Sequence, residues 1–177
     1  FYSQSKKKDQ TKSMNNTSNV RFFAYGRFVD NIILGSYTLD KSIDKEVKGE
    51  AVNLMKKLKM LDLAPGERQK CNTKNGSWFC RCDINGIVYL AICDMNYPER
   101  HAYRLIDEAQ EEIEKVPNYF VESEETISKL ANRVLPSLMK KYDDLQSLDS
   151  IYAAQKKAGE VKDMMGENIR GMIDGMQ

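Results

Sequence analysis

The stretch Gln69–Cys93, QKCNTKNGSWFCRCDINGIVYLAIC, decides the fold. Two Asn-Gly pairs, Asn75-Gly76 and Asn85-Gly86, divide it into Gln69–Thr73, Trp78–Ile84 and Ile87–Cys93, runs rich in β-branched, aromatic and cysteine residues. Asn-Gly suits a two-residue type I′ turn because both central positions need positive φ. Three consecutive antiparallel strands are therefore expected. Upstream, Val20–Val29 and Ile32–Thr38 have the same composition and flank Asp30-Asn31, which predicts a β-hairpin. Between hairpin and strands, Val47, Ala51, Leu54, Leu58 and Leu61 recur at alternating steps of four and three from Ile43 onward. That period predicts an amphipathic helix ending near Pro65-Gly66.

Downstream, Pro98 can open a helix at its first position, and Ala102, Ile106, Ala109, Ile113 and Val116 form one apolar stripe before Pro117. After a polar loop, Ile127, Leu130, Val134, Leu138 and Tyr142 predict a third helix, which Pro136 should kink or shift. Five antiparallel strands with an apolar face need cover, so the expectation is an α+β domain with a sheet between helices. Its bounds are residues 20–142. Residues 1–19, with Lys6, Lys7, Lys8 and Lys12 among polar residues, read as a flexible extension or expression remnant. Residues 143–150 read as a polar linker, and 151–177 as a separate helical tail.

Bulk composition narrows the function classes. In 177 residues, 27 Lys and Arg face 26 Asp and Glu, so no overall field favours nucleic acid or an anionic bilayer. No apolar run reaches the roughly 18 residues that span a membrane, and the start lacks a signal-peptide core. Cys71, Cys80, Cys82 and Cys93 all lie in strand-like segments, which fits reduced core side chains and a cytosolic setting.

In the tail, Ile151, Ala154, Ala158, Val161, Met165, Asn168, Met172 and Gly175 follow heptad spacing. Such a seam turns toward partner helices while Lys156, Lys157, Glu160, Lys162, Asp163 and Glu167 stay wet. Met165, Ile169, Met172 and Met176 form a second register, and Gly159, Gly166, Gly171 and Gly175 each cost about 1 kcal/mol against Ala in a helix. Periodicity alone leaves both registers open, together with a helix docked back on its own domain.

The segment Glu160-Val161-Lys162-Asp163-Met164-Met165-Gly166-Glu167-Asn168-Ile169 resembles the first half of the SNARE motif of synaptobrevins and their longin relatives. Ile87–Asp94, followed by Tyr97-Pro98-Glu99-Arg100 and Ala102-Tyr103, is similar to the last strand and next helix of the longin domain. The resemblance implies a longin (profilin-like) fold followed by the N-terminal half of a SNARE motif. It implies that Ile151 through Met172 supply bundle layers, with Asn168 a polar layer, and so selects the Asn168 seam. It implies target-membrane SNARE helices as partners, a role in vesicle-mediated transport such as ER–Golgi traffic, and a place on the cytosolic face of endomembranes. A membrane anchor beyond Gln177 is implied as well, making the chain a truncated one. Asn168 and Ile169 match a stretch that takes part in coat recognition or fold-back, but Arg170 reverses the charge of its third residue. Gly175 stands where the family's central arginine would fall. The alternative is a non-fusogenic longin adaptor that binds coat, tether or GTPase proteins.

Nothing in the sequence points to catalysis, metal or cofactor. Cys80 and Cys82 share one strand face, and the single histidine, His101, has no ligand-like spacing from them. The run Asp107, Glu108, Glu111, Glu112 and Glu114 reads as a solvated helix face.

Overall fold

A computed structural model describes residues 18–157 and 169–172. Strands β1 (Val20–Arg27) and β2 (Ile32–Thr38) form the first hairpin, and helix α1 (Asp44–Met60) follows. Next come β3 (Arg68–Thr73), β4 (Gly76–Cys82) and β5 (Ile87–Cys93), then α2 (Glu99–Glu114), α3 (Glu124–Asp143) and α4 (Leu145–Lys157). A last short strand, β6, spans Ile169–Met172. The sheet order is β2-β1-β5-β4-β3-β6. The first five strands pair antiparallel, as expected, whereas β6 adds to the β3 edge in parallel. This is the longin fold, an α+β sandwich of five antiparallel strands between helices, with one strand more than the sequence predicted.

Strand alternation sends two apolar sets to opposite faces. Phe22, Ala24, Trp78, Cys80 and Val88 meet α1 through Val47, Ala51, Leu54 and Leu58. Phe23, Tyr25, Phe79, Tyr89 and Ala91 meet α2 and α3. Gly35 is what lets α3 cross β2 closely: a Cβ there would lie 2.8 Å from the Ala131 Cβ and 2.9 Å from the Ile127 carbonyl. The predicted stripes of α1 and α2 are buried as far as Leu58 and Ile113, while Leu61, which caps α1, is exposed.

Several local expectations are corrected. The β3–β4 loop is Lys74-Asn75, with Thr73 opposite Gly76, so the turn lies one residue earlier than the Asn-Gly pair. Gly76 opens β4 at φ 139°, and a Cβ there would collide with the Cys93 carbonyl oxygen, so both the dihedral and the close approach require glycine. The second turn is type I over Asp83–Gly86, closed by Gly86 N–H to the Asp83 carbonyl, with only Gly86 at positive φ. In the first hairpin only Asn31, not Asp30, takes positive φ. Helix α3 continues through Pro136; the carbonyl that loses its donor belongs to exposed Asn132, where water can replace it. Ser18 and Asn19, assigned to the extension, belong to the domain: the Asn19 side chain donates to the Asp143 carbonyl and Val20 N–H to the Asp143 carboxylate.

Residues 143–150 are also not a linker. Asp143 ends α3, Asp144 alone breaks the path, and α4 starts at Leu145. The Asp144 carboxylate accepts the Ser147 N–H, capping α4 with the residue that composition assigned to a polar connector.

Candidate interaction site

The site is the surface shared by the domain and its tail. It begins with α4, whose Leu148 is buried in the cluster formed by the sheet, α2 and α3. One residue on, Asp149 accepts from His101 Nε2 at 2.8 Å and lies 3.4 Å from Arg100, both on α2. His101 is itself buried, edge-on to Tyr97, whose hydroxyl donates to the Tyr142 carbonyl. Burial pushes the imidazole below its ordinary value; the hydrogen bond to Asp149 opposes this only in part. A buried, mostly neutral histidine thus holds the first turns of α4. Beyond it a cleft of about 360 Å³ separates α4 from α2 and α3, lined by Arg104, Glu108, Lys141, Ile151 and Gln155 among others.

The second part of the site is the outer edge of β3. Without a neighbour, its N–H and C=O groups would form an open template for strand pairing. Ile169–Met172 occupies it, with Arg68 opposite Ile169 and Lys70 opposite Met172. The same stretch of β3 is held from α2: the Tyr103 hydroxyl donates to the Gln69 carbonyl, Arg68 stacks over the Tyr103 ring, and Lys70 pairs with Glu99 at 3.3 Å. The edge that receives the tail is therefore built by α2 as well as by β4.

Among the predicted bundle residues, Ile151 lies on α4 and is 48% exposed, and Ala154 is exposed nearby. Ile169 and Met172 lie in β6, which corrects the expectation of a continuous helix through these positions. Gly171 and β-branched Ile169 are poor helix formers, and the β3 edge supplies backbone partners that an isolated helix turn lacks. Ala158, Val161, Met165, Asn168 and Gly175 lie outside the described residues. Asn168 and Ile169, expected as a joint coat or fold-back contact, are thus divided: only Ile169 is placed, in the strand.

The cysteines are buried, and none of the four is in a disulfide. Burial raises Cys82 to about 11 and Cys80 and Cys93 above their usual range, so all three hold their protons at neutral pH. Within the described residues no group of three or more His, Cys, Asp or Glu could hold a metal ion, and no helix is long and apolar enough to cross a membrane. The acidic run of α2 is not wholly solvated. Asp107 pairs with Arg81 at 2.7 Å, Glu108 with Lys141 at 2.9 Å and with the Tyr142 hydroxyl.

Sequence reasoning also missed a buried carboxylate. Glu50 on α1 accepts from Thr73 Oγ1 at 2.7 Å, Asn75 Nδ2 at 2.6 Å and Trp78 Nε1 at 2.8 Å. It stands three residues after Val47 and four before Leu54, on the apolar stripe, which was the available signal.

No family model matches the chain. The synaptobrevin homolog YKT6 of Yarrowia lipolytica is 28% identical over 135 residues, covering 73% of this chain and 66% of that protein. The match thus spans just under two thirds of the relative. It supports a distant kinship with the longin SNAREs, at the level of the family and not of any one member.

Proposed function

We propose that the protein is a trafficking SNARE of the longin type, whose tail joins target-membrane SNARE helices to promote fusion while the domain governs when the tail is free. The observation that carries this reading is the pairing of Ile169–Met172 with β3. The same tail holds a heptad seam and a synaptobrevin-like segment, so it has two uses that exclude each other: strand on the domain, or helix in a bundle. The similarity to a synaptobrevin homolog supports the second use. Residues 18–143 serve as the longin domain and 151–177 as the first half of the SNARE motif, with the interface carried by Ile151, Ala154, Ala158, Val161, Met165, Asn168, Met172 and Gly175. The working location is the cytosolic face of endomembranes or vesicles.

The reading is tested by mixing the full-length protein with candidate target-membrane SNARE helices and following circular dichroism. A gain of helix and a heat-resistant complex are expected, with loss of β6 protection in amide exchange. If no partner set raises helicity, the second reading takes its place: an adaptor that binds coat, tether or GTPase proteins without fusing membranes. Gly175 and Arg170, which depart from the family pattern, favour that alternative.

A further inference from the structure

At the end of the sheet where β1 meets β2 and β4 meets β5, three loops each present a bare aliphatic side chain. Val29 is 80% exposed, Ile84 85% and Val121 71%. The loops are bonded to one another. Phe28 N–H donates to the Gly86 carbonyl, joining the segments of Val29 and Ile84. Arg27 donates to the carbonyls of Phe120 and Glu122, on either side of Val121, while Asp30 holds its other face. The Asn85 amide donates to the Tyr119 hydroxyl, and buried Asp83 accepts from Tyr119, Tyr89, Asn85 and Ile87. These bonds fix the loops without using the three aliphatic side chains. In the type I turn Asp83–Gly86, the chemistry needs Asp at the first position and Gly at the last, and nothing in it asks for Ile84.

Beside Ile84 opens a cleft of about 600 Å³ in which Asp83, Asp107, Glu111 and Glu114 outnumber Arg68 and Arg81. Arg81 is held by Asp107, and Arg68 lies over the Tyr103 ring. An apolar patch with an acidic flank repels an anionic bilayer. It also disfavours a second copy of this chain, because a two-fold pairing would set the same carboxylates against each other.

We infer that this three-loop end is a docking surface for a protein segment that presents an aliphatic or aromatic residue flanked by Lys or Arg. The apolar residue covers Ile84 and Val121, and the basic side chain enters the cleft toward Glu114. Because the loops are already fixed, the surface loses little conformational entropy on binding. The three loops lie apart from α4, and the cleft beside Ile84 touches the β3 edge only through Arg68, the residue opposite Ile169.

The test is a phage-displayed peptide library with randomised apolar and charged positions, selected on the whole chain and counter-selected on Ile84→Asp. The recovered peptide is then titrated by fluorescence anisotropy. Enrichment of Lys or Arg beside an apolar residue is expected. Affinity should fall at least about tenfold in Ile84→Asp and Val121→Asp, and severalfold in Glu114→Lys, with melting temperatures unchanged because all three positions are exposed. Equal binding to wild type and variants, enrichment of acidic peptides, Ile84-dependent binding to phosphatidylserine vesicles, or Ile84-dependent dimerisation in sedimentation would each overturn the inference.

Discussion

The five-stranded domain and the tail are held by different physics. The sheet of the domain buries apolar side chains on both faces, and the hairpin order brings neighbours in sequence together in space, so its contacts support one another. Among the described residues, the tail meets the domain around Leu148 and Asp149 on α4 and along the four residues of β6. The domain is over-determined, whereas the described residues of the tail hold to it through one helix turn and one short strand. A segment built to leave needs such an attachment, because local opening is least costly where few buried contacts must break.

The largest expected effect lies in the domain. Phe79→Ala removes a buried ring that stacks edge-on with Tyr103, 5.7 Å between centroids, and should cost about 3 to 5 kcal/mol in urea unfolding. Both regions should then unfold together; survival of the domain transition would break the comparison. Next, Glu50→Ala leaves the donors of Thr73, Asn75 and Trp78 without their carboxylate and should cost about 1 to 3 kcal/mol, read as a lower melting temperature. A neutral result would mean that water replaces the carboxylate and that the domain is less over-determined than its contacts imply.

Leu148→Asp addresses the other side of the comparison. It should strip α4 of amide-exchange protection while β1 and β5 keep theirs, with little change in the domain melting temperature. If the whole domain destabilises alongside, α4 belongs to the core.

A smaller effect is expected from pH. The folded-state value of His101 is depressed by burial, so the unfolded chain binds the proton more readily. The stabilisation is therefore present above the ordinary value of about 6.5 and declines as pH falls below it. Wild type should lose more stability than His101→Gln between neutral and mildly acidic pH, and parallel curves would remove His101 from the account of α4 docking. Smallest of all, Gly171→Pro should loosen β6 and expose the β3 edge to exchange while shifting global stability by no more than about 0.5 kcal/mol. A drop as large as that of Glu50→Ala would place β6 inside the domain.

The elements that sequence periodicity revealed are those whose signal is local. Val47, Ala51, Leu54 and Leu58 mark α1 through their own spacing, and Ile87–Cys93 is apolar on both faces because it is the central strand. Turn geometry was less legible. Asn75-Gly76 and Asn85-Gly86 mark turns correctly, but Gly76 serves the close approach of Cys93 and Gly86 a single positive φ, neither of which an Asn-Gly pair specifies by itself. In α4, Asp144 was read as part of a polar connector although it caps a helix, and Leu145, Leu148 and Ile151 already carried its apolar face. Strand β6 was beyond reach, since Ile169 and Gly171 only weaken a helix there, and the pairing itself depends on an open edge a hundred residues earlier in the chain. The three-loop end shows another kind of loss: Val29, Ile84 and Val121 are far apart in sequence, and only the fold bonds their loops to one another.

Trp78 is the chain's single tryptophan, and it lies on the α1 side of the sheet, bonded to Glu50 and edge-on to Phe22. The protein therefore carries one intrinsic optical gauge, and it reads the seating of α1 on the sheet. Motions of α4 on the opposite face are dark to it. A partner that shifts the indole emission has reached the domain through α1, and one that binds without shifting it has left that layer undisturbed.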